Sequence, residues 1–317
     1  MSNEPTAFRL ALPVLIAVGL ASALFYSGVF AFLFAVPVQV MFSQRGWRTG
    51  LAAAGGTAAA VLVLHTLQAL RLGGGDQNLV PLMLLDALMP IGLLAGVALF
   101  NIYRSYPWWA RLLAGGAIGV LGAIPSLRIL AQASEGAGPL GAQLTAMVEM
   151  LGVQQDTDAF VSMVQRVARS TVGVGLTAAL AANIWLGTGM VRRRFGGSQS
   201  LRSVRAPEWM VWVVIVGLAL VLGAWAGELP LLEAPGWNLL LVGAFLYGLH
   251  GIGLIQHLFI RRGMPVTAER WIVTIALMLL FVPGFNLVVM LAVPLLGMSE
   301  VWVDYKRGET DESHSEY

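Results

Sequence analysis

Apolar stretches long enough to cross a bilayer follow one another along almost the whole chain, and the arginines fall between them on alternate sides. A hydrocarbon core about 30 Å thick needs about 20 apolar residues as a helix, because a spanning segment must satisfy its backbone polar groups internally. The runs lie approximately at 10–26, 29–43, 51–70, 81–101, 112–130, 170–191, 209–227, 238–260 and 271–303. They predict an all-α, polytopic transmembrane helical bundle of about 8–10 spans with no soluble domain. The last run is too long for one perpendicular helix. It carries Pro283-Gly284 in its middle, where a lost N–H donor and a flexible residue divide or kink a helix. With 57% hydrophobic residues, 11% charged and a mean hydropathy of +0.77, a soluble fold would lack the polar surface to cover itself.

Charge gives the runs a direction. If the loop with Arg45 and Arg48 is cytoplasmic, Arg104, Arg111, Arg192, Arg193, Arg194, Arg202, Arg205, Arg261, Arg262 and Arg270 fall on the same side. Only Arg71, Arg128, Arg166 and Arg169 fall outside. This is the inside-positive bias of an inner (cytoplasmic) membrane protein. Arg9 joins the inner set if residues 10–43 form a hairpin of two short helices, which predicts a cytoplasmic N-terminus. Trp47, Trp108, Trp109, Trp209, Trp237 and Trp271 sit at expected span ends, as an aromatic belt requires. The net charge of +2 is thus spent on topology, and scattered arginines form no phosphate-binding stripe for nucleic acid. The absence of cysteine excludes thiol catalysis, disulfides and zinc–thiolate sites. Ala21-Ser22-Ala23 resembles a signal-peptidase site, but the chain stays apolar to Phe42, so an uncleaved first span is expected.

Residues 131–169 form the longest hydrophilic loop, on the outer side, with Glu135, Glu149, Asp156 and Asp158. Leu140, Leu144, Met147, Val148 and Leu151 recur at helical spacing, as do Phe160, Met163, Val164 and Val167 after the potential N-cap Asp156 or Thr157. Two short amphipathic helices on the outer surface are expected, either a plain connector or a lid over an outward cavity. If the last run divides at Pro283-Gly284, Lys306-Arg307 return to the cytoplasm. The polar tail 308–317 is expected to be disordered. Gly115, Gly119, Gly122, Gly187 and Gly189 permit close helix packing in lipid, whereas Gly73-Gly74-Gly75 lacks the strand and Lys-Ser/Thr of a phosphate loop.

Ionisable and amide groups inside spans are costly and therefore informative. His65 and Gln68 are three apart on one helix, Asp86 lies early in the fourth run, and Arg128 late in the fifth. At 1.5 Å per residue, His65 is roughly 7 Å and Asp86 about 8 Å below the outer surface, with Arg128 near it. These four form the candidate substrate-binding set. An Asp86–Arg128 ion pair that lets both survive burial is one reading. An outward polar pocket for a small solute, with His65 and Asp86 relaying protons, is the other. His250 and His257 share a helix face but are about 10 Å apart along it, with no partner His or carboxylate expected at matching depth. Packing or interhelical hydrogen bonding is expected there instead of a metal or haem. Asn183 and Asn286 read as interhelical hydrogen-bonding residues. No metalloprotease, nucleophile-elbow or Asp-rich motif occurs, so no enzymatic activity, cofactor or metal is expected.

The strings YGLHGIGLIQHLFIRRGMP (Tyr247–Pro265), LLGMSEVWVDYKR (Leu295–Arg307) and FAVPVQVMFSQRGWRTG (Phe34–Gly50) resemble the YybS-like family of uncharacterised bacterial membrane proteins. Position 300 is Glu where the family pattern has Asp. That architecture is in turn similar to the substrate-binding S components of energy-coupling factor transporters. The analogy implies a small-solute site near the outer face and a docking helix for an energising ATPase module, here offered by Ala11, Ala17, Ala21 and Ala23. The function this predicts is a transporter-like, small-solute-binding membrane subunit. The alternative is a non-catalytic scaffold or signalling protein that recruits a cytoplasmic partner through loops 192–205 and 261–270 and the acidic tail. A membrane enzyme on lipid-linked substrates comes third, for want of an acid/base set.

Overall fold

A computed structural model describes residues 6–72, 84–134, 157–195, 204–264, 274–275, 278, 282 and 285–303. The Gly73-Gly74-Gly75 turn, most of the outer loop, the Pro283-Gly284 break, Lys306-Arg307 and the polar tail lie outside them. Among the described residues the chain is helical without strands: α1 (Thr6–Tyr26), a 3-10 turn (Ala31–Leu33), α2 (Val36–Arg45), α3 (Trp47–Leu72), α4 (Leu88–Ile102), α5 (Trp108–Ser134), α6 (Thr157–Arg194), α7 (Met210–Ala226), α8 (Pro230–Arg261) and α9 (Phe285–Ser299). Five are long and apolar enough to cross a membrane, namely Trp47–Arg71, Leu84–Ile102, Trp108–Ile129, Ser162–Arg194 and Pro230–Arg261. Ala11–Tyr26, Met210–Ala226 and Asn286–Ser299 are shorter apolar helices. Large apolar side chains such as Leu15, Ile16, Trp212 and Trp225 are exposed, as lipid-facing residues are.

Two stretches differ from expectation. The apolar run at 29–43 is not one helix: the chain turns after Tyr26, makes the 3-10 turn, and starts the ten-residue α2 with Pro37 at its first positions. Pro is accommodated there because the first N–H groups of a helix have no intrahelical partner. The start of α2 is internal, since Phe34, Ala35, Val36 and Val38 are buried. The second amphipathic stretch of the outer loop is the beginning of α6, not a separate surface helix. No Pro interrupts 157–194 and its glycines stand singly between helix formers, so one helix of 38 residues, about 57 Å long, runs through.

The chain divides into two compact units, Met1–Gln199 with Leu220–Asn238, and Ser200–Ala219 with Leu239–Tyr317. In the first unit, α4 and α5 pack antiparallel through glycine. A Cβ on Gly96 would lie 2.6 Å from the Gly115 oxygen, and one on Gly122 would lie 2.4 Å from the Leu88 oxygen. Only hydrogen at these positions lets the backbones meet, the small-residue packing that substitutes in lipid for the hydrophobic effect. Gly116 seats Thr177 of α6, and Gly187 of α6 seats Gln39 of α2. The amide groups of Gln39 and Asn101, both buried, are paired. Asn101 Nδ2 donates to Gln39 Oε1 (2.6 Å), and Gln39 Nε2 lies 3.1 Å from Thr188 Oγ1. Asn183 Nδ2 donates to Phe32 O and Ala179 O, both at 2.7 Å, which ties the 3-10 turn to α6.

That amide layer also levels the helices. Gln39, Asn101 and Thr188 meet, and each lies a few residues before the arginine-bearing end of its segment at Arg45, Arg104 and Arg192–Arg194. These arginines, with Arg48 and Arg111, therefore occupy one end of the first unit. The ends of α1 and α3, the start of α4 and Arg128 occupy the other.

In the second unit, α8 and α9 cross with Gly251 against Gly297. A Cβ on Gly251 would come 2.2 Å from Val293 O, and one on Gly297 equally close to Tyr247 O. Tyr247, Leu246, Leu254 and Met210 fill the core beside this crossing.

Candidate functional site

At the end of the first unit away from the arginines, three elements bring polar groups together. Tyr26 is the last residue of α1, which stops where Ser27 Oγ accepts from Phe30 N–H (3.0 Å) and Gly28 adopts φ +70°. That left-handed turn suits glycine and directs the chain back into the bundle. His65 lies on α3, one turn after Val61. Asp86 lies two residues before α4, in the helical stretch 84–86 that opens the apolar span Leu84–Ile102.

His65 is buried at 7% exposure, with the Phe25 ring 5.8 Å away between centroids. Its Nδ1 has two neighbours of opposite kind, the Tyr26 hydroxyl at 2.7 Å and the Val61 carbonyl at 3.0 Å. The Tyr26 hydroxyl is also within reach of Val61 O, at 3.3 Å. His65 Nε2 points at Asp86, 3.8 Å from Oδ2, and the Asp86 side chain is 58% exposed. A neutral imidazole takes its proton on Nε2 and accepts from Tyr26 at Nδ1. An imidazolium donates from Nδ1 to Val61 O and from Nε2 toward Asp86. Either protonation state has partners in place.

Of the four residues singled out by sequence, the structure thus unites His65 and Asp86. Gln68 and Arg128 are exposed, and among the described residues no ion pair links Arg128 to Asp86. Depth along a span was legible, but azimuth was not. Three residues of helix turn Gln68 about 60° away from His65, and Arg128 lies on an outward face of α5. Tyr26, the residue sequence reasoning missed, had a usable signal: it ends the first run at the depth of His65. As a tyrosine at a span boundary it reads as part of the aromatic belt.

A second polar cluster lies in the second unit and corrects the expectation that His250 has no carboxylate at its depth. His250 is buried, and its Nε2 is 2.5 Å from Glu300 Oε2, whose side chain is 10% exposed. His250 Nδ1 accepts from the Ala206 N–H (3.4 Å), so Nε2 carries the proton donated to Glu300. Tyr247 stacks on the imidazole and donates to Pro207 O at 3.4 Å. Division of the last run at Pro283-Gly284 puts Glu300 at the end of 285–303, but residue counting does not say which helix α9 crosses. Gly297 sits on Gly251, which brings the next turn to His250. His257 is also buried, two turns on. Among the described residues no group of three or more His, Cys, Asp or Glu could hold a metal ion.

A family model, described as predicted membrane protein (DUF2232), matches residues 11–298. No curated protein and no solved structure matches the chain.

Proposed function

We propose, from the premise that the chain belongs to the DUF2232 family of predicted membrane proteins, that it is a non-enzymatic, transporter-like subunit. It takes a small solute at the His65–Asp86 end of its first unit. One observation carries this reading: a half-exposed carboxylate is backed by a buried imidazole that keeps hydrogen-bond partners in either protonation state. A pair serving only stability would be closed on both sides, since ionisable groups within a span are costly unless they pair or serve a pathway. The arginine end faces the cytoplasm of an inner-membrane protein, by the inside-positive bias, and the His65–Asp86 end faces out. An energising partner such as an ATPase module docks on the cytoplasmic side.

The test is thermal stability of the detergent-purified chain against a panel of small cationic, anionic and neutral solutes. Bound at about 100 times its Kd, a solute stabilises by about 2.7 kcal/mol. That gain is expected in the unaltered chain and absent in Asp86→Asn. A solute that stabilises both equally, or none in any charge class, removes the reading.

A further inference from the structure

We infer that the solute taken at Asp86 is a monovalent cation, inorganic or ammonium, and that it exchanges with a proton on His65; this rests on the solute-binding reading above. Among the described residues no arginine or lysine pairs with Asp86. A neutralising Arg128 would make the site neutral or anion-accepting, but Arg128 is exposed and pairs with Asp86 nowhere among the described residues. The charge-bearing neighbour Asp86 does have is His65, 3.8 Å away.

The groups facing His65 come from the helices packed around it. Tyr26 comes from α1 and Asp86 from the start of α4. On α3 itself the nearest charge is Arg71, exposed and about 9 Å further along the axis, and α2, packed on α3, carries its Arg45 at the opposite end. Among the described residues, His65 is therefore the group that decides whether Asp86 carries an uncompensated charge. With His65 neutral, Tyr26 donates to Nδ1, and Asp86 presents a free carboxylate to the exposed side. With His65 protonated, Nδ1–H turns to Val61 O and Nε2–H toward Asp86, and the pair is neutral. A cation on Asp86 and a proton on His65 are two positive charges on either side of one carboxylate, whose oxygen is 3.8 Å from Nε2, and they repel. Cation on Asp86 and proton on His65 are thus alternatives, the linkage from which proton–cation exchange is built.

Proton release from the full chain in weakly buffered detergent, followed with a pH dye across about pH 5–8, tests this with sodium chloride and methylammonium chloride as probes. At least one probe should release protons, and where it does its apparent affinity should weaken by up to about tenfold for each pH unit lost. In His65→Gln, whatever stabilisation the probe still gives should come with no proton release and no longer weaken as the pH falls, whereas Asp86→Asn should lose the stabilisation itself. Should His65→Gln not fold, the ¹⁵N shifts of His65 in the unaltered chain decide: a probe-bound Nε2–H tautomer with Nδ1 accepting is expected. A doubly protonated ring in the bound state overturns the inference. So do stabilisation by acetate or phosphate with no response to either cation, which leaves the solute-binding reading standing, and proton release that persists in His65→Gln. A chain that responds to no solute of either sign takes both down.

Discussion

Glu300 gives the interior of the second unit its acceptor, and substitutions there separate charge from hydrogen bonding. Glu300→Ala removes the carboxylate that the buried His250 imidazole N–H meets at 2.5 Å, at a cost of about 1–3 kcal/mol. Glu300→Gln keeps an oxygen at the same reach and should cost distinctly less. Melting temperatures of the two variants check this, and equal losses would mean that the carboxylate charge matters more than the hydrogen bond. At this scale the sequence was half legible. His65 and Asp86 stood out because a titratable group inside an apolar run has few bland explanations. Tyr26 and Glu300 did not, because an aromatic or an acid at a span boundary is ordinary. The reading that pairs Arg128 with Asp86 finds no ion pair among the described residues, because residue counting gives depth and not direction around a helix.

Helix elements here are held by absence of side chain as much as by presence. Gly96→Ala drives a methyl group toward the Gly115 oxygen, a backbone atom that cannot turn aside, and should cost about 1–3 kcal/mol. Gly55 on α3 has nothing within 4 Å of a built Cβ, so Gly55→Ala should be neutral or gain about 0.5–1 kcal/mol from helix propensity. Thermal unfolding of the pair checks the distinction, and equal losses would contradict glycine-mediated packing of α4 on α5. The glycines of α5 announced close packing in the sequence, though not their partner. The broken second run was hidden because Phe30–Val38 is apolar throughout, and only Pro37 marked where a new helix begins. The length of α6 was missed for the converse reason: its polar first turns read as loop while its backbone had no cause to stop.

For the whole molecule, periodic apolar runs were enough to read membrane residence and helical class, and the arginine pattern gave a direction. The structure supports the grouping in the first unit, where the Gln39–Asn101–Thr188 layer sets the arginine-bearing ends side by side, away from His65 and Asp86. A solute site at Asp86 requires that this carboxylate be reachable from the side opposite those arginines. The chain contains no cysteine, so a single introduced thiol reports its own side without background. In intact cells, Asp86→Cys should react with a membrane-impermeant maleimide, while Arg104→Cys should react only after permeabilisation. Labelling of Arg104→Cys from outside with Asp86→Cys protected, or an Asp86→Cys that reacts from neither side, would contradict an outward-facing site.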